Sequence, residues 1–251
     1  MVRVLTMAVR HLPNVLYETL RISIPTIIDG YRGTGSQEIF DDRLMSWSER
    51  ILRCADVHLD IEGQPIPPAS ETFVVMSNHQ SLYDIPVMYQ TLRRRLRMVA
   101  KSELFRVPIW SHAMRESGTI ELDRSNRRAA LESLKKAGEQ IRRGTNVWIA
   151  PEGTRSRTGV MGPFKTGGFL MAFEAKVRVL PITVDGSFRV MPATGLLMSP
   201  GRTIRVVVHE PIDPAAFGRR QREQLATVVR ATIASGLPEA LRGNATVDNS
   251  E

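Results

Sequence analysis

The chain reads as a layered α/β domain behind a helical N-terminal segment, and three observations lead there. From Thr72 onward, short β-like runs alternate with helical runs, the order that builds a sheet with helices packed on it. The 251 residues are 42% apolar and 24% charged, enough to bury the core of one large domain, or of a domain with a helical appendage. The opening stretch is apolar but punctuated by Arg3, Arg10, His11, Glu18 and Arg21. It therefore carries no secretory signal pattern, and no run reaches the roughly 20 apolar residues that span a bilayer.

Taken in order, residues 4 to 28 place Val4, Leu5, Leu12, Val15, Leu16, Leu20, Ile22, Ile24, Ile27 and Ile28 among arginines. Two readings fit this pattern: helices lying in a membrane interface, or an ordinary amphipathic helix packed on the domain. YRGTGSQE at 31 to 38 predicts a turn, and DDRLMSWSERILRC at 41 to 54 a helix with Leu44, Trp47, Ile51 and Leu52 on one side. EGQPIPPAS at 62 to 70 predicts a loop. Strands are expected at 72–77, 96–101, 119–122, 146–150, 178–184 and 203–210. The clearest helix is 125–144, with Ser125 placed to cap it, Ala130, Leu134, Ala137 and Ile141 at helical spacing, and Gly144 to stop it. The polar end, GNATVDNSE, is expected to fray. The organisation that follows is a helical segment at 1–55, with membrane association as one of its two readings, an α/β domain at 56–240 and a polar tail at 241–251.

A formal charge of +8 implies attraction to phosphates on nucleic acid, an anionic membrane or an acidic carrier protein. The single cysteine, Cys54, rules out an intrachain disulfide, and the five scattered histidines form no metal-ligand cluster with it.

The chemistry starts at SNHQSLYDIP, residues 77 to 86. His79 follows a buried strand, at the strand end where α/β sheets hold ligands, and Asp84 opens the next helix. Five residues along a regular helix separate side chains by about 140°, so the two meet only if His79 lies in the bend before the helix, with Ser81 as a candidate cap. A carboxylate on one imidazole nitrogen fixes the tautomer and leaves the other nitrogen to take a proton. No G-x-S-x-G elbow supplies a nucleophile, which leaves a substrate hydroxyl as one candidate for activation by this pair. A lone H-x-x-x-x-D is a weak pattern and needs a second element. VWIAPEGTRSR at 147 to 157 supplies it: Glu152, Gly153, Thr154 and Arg155 offer a carboxylate, a flexible amide, a hydroxyl and a guanidinium at a strand end. Such a loop admits an anion, with Arg155 forking onto phosphate oxygens and Lys165 downstream before a glycine pair.

Together these stretches resemble the glycerolipid acyltransferase family. NHQSLYD is similar to its first motif, GTIELDR (118–124) to its second, PEGTRS to its third and VLPITVDG (179–186) to its fourth, in the family's order over roughly residues 72 to 190. The resemblance implies a mixed sheet flanked by helices and an enzyme that moves a fatty acyl group from acyl-CoA or acyl carrier protein to lysophosphatidic acid, with glycerol 3-phosphate or another lysolipid as alternative acceptors. It implies His79 as general base, Asp84 as its orienting partner, and Lys101, Arg124, Glu152, Gly153, Thr154, Arg155 and Lys165 at the substrate, with Pro181 shaping the last motif. Neither a metal nor a bound cofactor is implied. The expected partners are a membrane lipid acceptor, the acyl donor and an anionic membrane surface, with no nucleic acid. The expected location is the cytoplasmic face of a membrane, peripheral or monotopic, without a transmembrane helix. Two departures stand out: Ala150 where the family often has a bulky apolar residue, and Pro-Ile-Trp-Ser at 108–111 where it has P-x-x-G. A non-catalytic membrane-binding or nucleic-acid-binding protein is the competing class. RRRLR at 93–97 is the latter's main support, and no recognised binding motif accompanies it.

Overall fold

A computed structural model describes residues 2–123, 126–195, 198–244 and 247–248. The chain opens with α1 (Val2–Arg32) and α2 (Gln37–Cys54), followed by β1 (His58–Gly63), β2 (Val74–Ser77), α3 (Asp84–Leu92) and β3 (Leu96–Lys101). Then come α4 (Trp110–Glu116), β4 (Ile120–Leu122), α5 (Arg127–Arg142), β5 (Asn146–Ile149), β6 (Phe164–Lys165), α6 (Leu170–Ala175), β7 (Val179–Asp185), α7 (Ser187–Val190), β8 (Thr203–Val208), α8 (Arg222–Ser235) and β9 (Val247–Asp248).

Seven strands form one mixed sheet in the order β1-β8-β7-β2-β5-β3-β4. Every neighbouring pair is parallel except β7 with β8. Parallel strands are covered on both faces, so their sequences run apolar without a polar side. β2 shows this: Val74 and Met76 pack toward α5, α6 and α8, while Phe73 and Val75 pack toward α2 and α3. Trp148 and Ile149 of β5 divide the same way. The mixed α/β architecture expected from the sequence is therefore present, and all six expected strands are found. β1 was not foreseen. It is an exposed edge strand, HLDIEG, that replaces the start of the expected 62–70 loop and pairs with β8 through six residues.

Three local expectations are corrected. The cap of α5 is Asn126, whose side chain accepts from the Ala129 N–H at 3.1 Å; Ser125 lies outside the described residues. The C-terminal stretch does not simply fray, since β9 pairs with β6, and Leu241 and Val247 pack on the core. The apolar start is one helix rather than several, with Pro13 and Pro25 inside it.

The inward side of that helix is partly polar. Thr19, Ser23 and Thr26, spaced for one face, point inward, with Ser23 and Thr26 buried and Thr19 accepting from the Trp47 indole at 3.2 Å. Tyr17, Ile24, Ile28 and Tyr31 point outward, the two tyrosines 63% and 76% exposed. The carboxylates of α1 are drawn inward as well: Glu18 meets Arg50 and Asp29 meets Arg43, both on α2 and both at 2.5 Å. Among the described residues, no helix is long and apolar enough to cross a membrane.

α2 is tied to the sheet by Arg97 of β3, buried at 3% exposure, which donates to Asp41 and, at 2.7 Å, to Gln37. Removing one partner strands the other charge inside the protein. Asp41→Ala should therefore lower unfolding stability by about 2 to 3 kcal/mol, less than for a fully enclosed pair because Asp41 keeps some solvent. Urea denaturation of the two proteins measures it, and Asp41→Asn should recover part of the loss.

Candidate active site

Strands β2, β5 and β3 run in the same direction, so the loops leaving their C-terminal ends meet at one edge of the sheet. β2 ends at Ser77 and α3 begins at Asp84, and the six residues between must turn sharply without leaving amides unpaired in a dry place. Asp84 solves this. One of its carboxylate oxygens, Oδ2, accepts from the N–H of Gln80 at 2.7 Å and of Ser81 at 2.9 Å, and meets Nδ1 of His79 at 2.7 Å. The five-residue spacing thus closes through a bend, as the sequence required. Ser81 does not cap the helix. Its hydroxyl donates to the Met191 carbonyl at 2.7 Å and accepts from the Tyr83 N–H, while Asp84 reaches back over the bend.

Asp84 is fully buried and the His79 side chain keeps 19% of its exposure. Since the carboxylate accepts, Nδ1 carries the proton and Nε2 is left as the basic nitrogen. Nε2 has no hydrogen-bond partner among the described residues. Trp148 stands edge-on to the imidazole, with ring centroids 5.8 Å apart, and its own N–H is held by Ser77 at 3.0 Å.

The loop after β5 grips the same histidine by its backbone. Glu152 accepts from the His79 N–H at 2.7 Å through one oxygen and from the Gly162 N–H at 2.7 Å through the other. The Ser156 N–H donates to the His79 carbonyl at 2.7 Å. Glu152 was expected among the substrate-contacting groups; with 7% exposure and both oxygens engaged, it serves as an internal clamp between two loops. Burial pushes its carboxyl up to about 7, against the pull of the two N–H donors and of His79.

Two further clamps were not legible as site residues. Asn78, fully buried, exchanges hydrogen bonds with Val184 of β7 at 2.7 and 2.8 Å. Gln80 donates to the Gly159 carbonyl at 2.9 Å and accepts from the Gly186 N–H at 3.2 Å. Their one sequence signal is that they are polar residues close behind an apolar run.

The remaining expected residues are distributed around this centre. Gly153 takes φ of +74°, a conformation that side chains disfavour, which explains glycine at that turn. Gly153, Lys165 and Ala150 line one cleft with Leu122, Ile149 and Leu170, so the small residue that departs from the family pattern faces that space. Thr154 is exposed and Arg155 half-buried, and Arg155 makes no ion pair among the described residues. Lys101 is exposed at the end of β3, beside β5 in the sheet. Arg124 lies outside the described residues.

Comparison with known proteins places these features in context. A family model described as Acyltransferase matches residues 58–185. The chain is 34% identical over 187 residues to a 1-acyl-sn-glycerol-3-phosphate acyltransferase of Chlamydomonas reinhardtii, covering 74% of this chain and 54% of that protein. It is 36% identical over 155 residues to the chloroplastic enzyme LPAT1 of Arabidopsis thaliana, covering 61% and 43%. The corresponding Pseudomonas aeruginosa protein is 31% identical over 198 residues, covering 78% and 75%. The chain thus spans about half the length of the plant and algal relatives it matches. The crystal structure of the 1-acyl-sn-glycerophosphate acyltransferase PlsC from Thermotoga maritima superposes with a TM-score of 0.76 at 24% identity, over 95% of this chain and 98% of that one, and so shares the fold.

The state of Glu152 yields a pH prediction. Its carboxyl holds a proton up to about pH 7 when folded but only to its ordinary 4.5 when unfolded. The stability that protonation contributes is complete below 4.5 and is lost as pH rises through 7. Relative to Glu152→Gln, which cannot ionise, the natural protein should become progressively less stable between those limits, by a few kcal/mol in all. Denaturation of both proteins from pH 4 to 8 tests this; parallel curves would show that the folded protein does not raise the Glu152 carboxyl above its ordinary value.

Proposed function

This chain belongs to the acyltransferase family, and we propose that it transfers a fatty acyl group from a thioester, acyl-CoA or acyl carrier protein, to the free hydroxyl of lysophosphatidic acid, giving phosphatidic acid. The observation that carries this reading is the His79–Asp84 pair, oriented and half-enclosed, with no hydroxyl or thiol among the described residues hydrogen-bonded to Nε2. The nearby hydroxyl of Ser81 is turned away onto the Met191 carbonyl, so it is not available to form an acyl-enzyme. The hydroxyl that His79 activates is then the acceptor's.

In this mechanism the acceptor hydroxyl donates to Nε2 of His79. As its oxygen forms a bond to the thioester carbonyl carbon, the proton passes to Nε2, and the buried Asp84 carboxylate stabilises the imidazolium through Nδ1–H. The tetrahedral oxyanion collapses with cleavage of the C–S bond, and the thiolate takes the proton from Nε2. Lys101, Arg155 and Lys165 supply cations for the acceptor phosphate, with the Gly153 turn bringing the backbone close; Arg124 completes that set by its place in the second motif. Glu152 contributes by holding the His79 backbone rather than by touching an anion.

The acceptor is a lipid, and the outward apolar face of α1 supports delivery from a membrane surface. Exposed Tyr17, Ile24, Ile28 and Tyr31 form one stripe, and such a face, unfavourable in water, is satisfied where acyl chains meet headgroups.

His79→Ala should reduce thiol release from acyl-CoA by at least 10²-fold, the order expected for loss of a general base, in a protein whose cooperative melting curve shows that the fold is kept. Asp84→Asn should fall by a similar or larger factor. A folded His79→Ala protein with near-normal turnover would end this mechanism. Arg155→Ala should raise KM for lysophosphatidic acid about tenfold or more while leaving KM for the donor unchanged, since a hydrogen bond to a charged group contributes about 1.5 to 3 kcal/mol. Arg155→Lys should restore only part of this, because an ammonium cannot make the two-pronged contact.

A further inference from the structure

Between β3 and α4 the chain makes an exposed apolar tip that the proposed chemistry does not use. Phe105 and Ser111 are buried and pin its two ends. The five residues between them, Arg106, Val107, Pro108, Ile109 and Trp110, are all exposed, Ile109 at 48% and Trp110 at 42%. Leu104, at the edge of the tip, is 46% exposed. The backbone is also strained: Ile109 has φ 68° and ψ −59°, and the Trp110 N–H donates to the Pro108 carbonyl at 2.8 Å. That is the rare positive-φ γ-turn, with a β-branched residue at its centre. Strain combined with exposed isoleucine and tryptophan is unfavourable twice over in water, which points to a surrounding other than water.

The position of the tip identifies that surrounding. The helix that follows it packs on the C-terminal end of α1 and the start of α2: the Tyr31 and His112 rings lie 5.7 Å apart, and the side chain of Gln37, the first residue of α2, donates to the Glu116 carbonyl at 3.3 Å. Gly30 sits so close to Glu116 that a Cβ there would come within 2.5 Å of the Glu116 carboxyl carbon. The apolar stripe of α1 therefore ends beside the element that carries the tip. The charges agree with an anionic partner. Glu18 and Asp29 of α1 are engaged by Arg50 and Arg43, whereas Lys101 and Arg106, on either side of Glu103, make no ion pair among the described residues.

We propose that residues 104–110 form a second membrane contact, which inserts Val107, Ile109 and Trp110 into the headgroup region of an anionic leaflet beside α1 and turns the C-terminal edge of the sheet toward the lipid. The proposal extends the reading of α1 as membrane-facing and rests on it only for orientation. Two contacts at separate points fix the tilt of a protein on a surface, whereas a single helix leaves it free to roll. Lys101, at the root of the tip, would then stand at headgroup height.

The test uses the full chain with Cys54→Ala and one environment-sensitive fluorophore, attached in separate proteins through Ile109→Cys or Tyr17→Cys. The vesicles are phosphatidylcholine with about one third phosphatidylglycerol, with and without acyl chains carrying a bromine quencher. Both probes should shift to the blue and be quenched by the brominated lipid. Insertion at position 17 with a water-exposed, unquenched probe at 109 would overturn the proposal and leave the α1 reading intact. Exposure at both would overturn both, and insertion at 109 alone would support the tip and remove α1. A probe at 109 that is shielded without vesicles, in step with protein concentration, would mean that a second copy covers the tip and would also overturn it. Independently, Ile109→Asp combined with Trp110→Ala should weaken vesicle binding at least about tenfold, from the loss of two buried apolar side chains. Turnover on a short, water-dispersed acceptor should be unchanged. Undiminished binding by this folded variant would equally sink the idea.

Discussion

One carboxylate oxygen organises the functional edge of this protein. Oδ2 of Asp84 draws in two backbone N–H groups and an imidazole, and each of the three contacts answers a different need. The Gln80 and Ser81 amides leave a parallel strand in a region without water and would otherwise be unpaired. The imidazole receives both its orientation and its tautomer. Because one atom does all of this, the shape of the bend and the basicity of the site cannot vary independently. A longer or shorter bend would move the histidine and uncover the amides together.

Glu152 repeats the device from the neighbouring loop. It too is buried and accepts two N–H bonds, but they are spread over its two oxygens and join loops from different parts of the chain. Burial outweighs them and keeps its carboxyl near neutrality. Asn78 and Gln80 extend the same stitching to the end of β7 and the residue just beyond it, using neutral amides. The site is thus held mainly through side chains that bind backbone. Its geometry accordingly depends less on the identity of exposed loop residues than on a few buried polar ones.

This arrangement explains what could be read from the sequence. His79 and Asp84 were legible because their interaction is local and follows a strand that announces itself by an unbroken apolar run. The Gly153 turn was legible by the same logic at the end of β5. The task of Glu152 was not, since its partners are backbone amides 73 and 10 residues away, and amides leave no mark in a sequence. β1 escaped because an exposed edge strand needs no apolar alternation, and β9 because two paired residues make no pattern at all. For α1 the apolar content was plain but its orientation was not: Thr19, Ser23 and Thr26 are residues usually assigned to the wet side.

The pairing of β1 with β8 bears on the order of events during synthesis. His58 lies opposite Thr203, so the strand that follows the N-terminal helices waits for 145 further residues before its neighbour exists. At ribosomal speeds of about 5 to 20 residues per second, that wait is roughly 7 to 30 s. For most of it α1 has emerged from the ribosome with its stripe of tyrosine and isoleucine uncovered, while the sheet is still incomplete. A lipid surface within reach during that interval would meet the helix before the rest of the protein has assembled, so docking can precede folding rather than follow it.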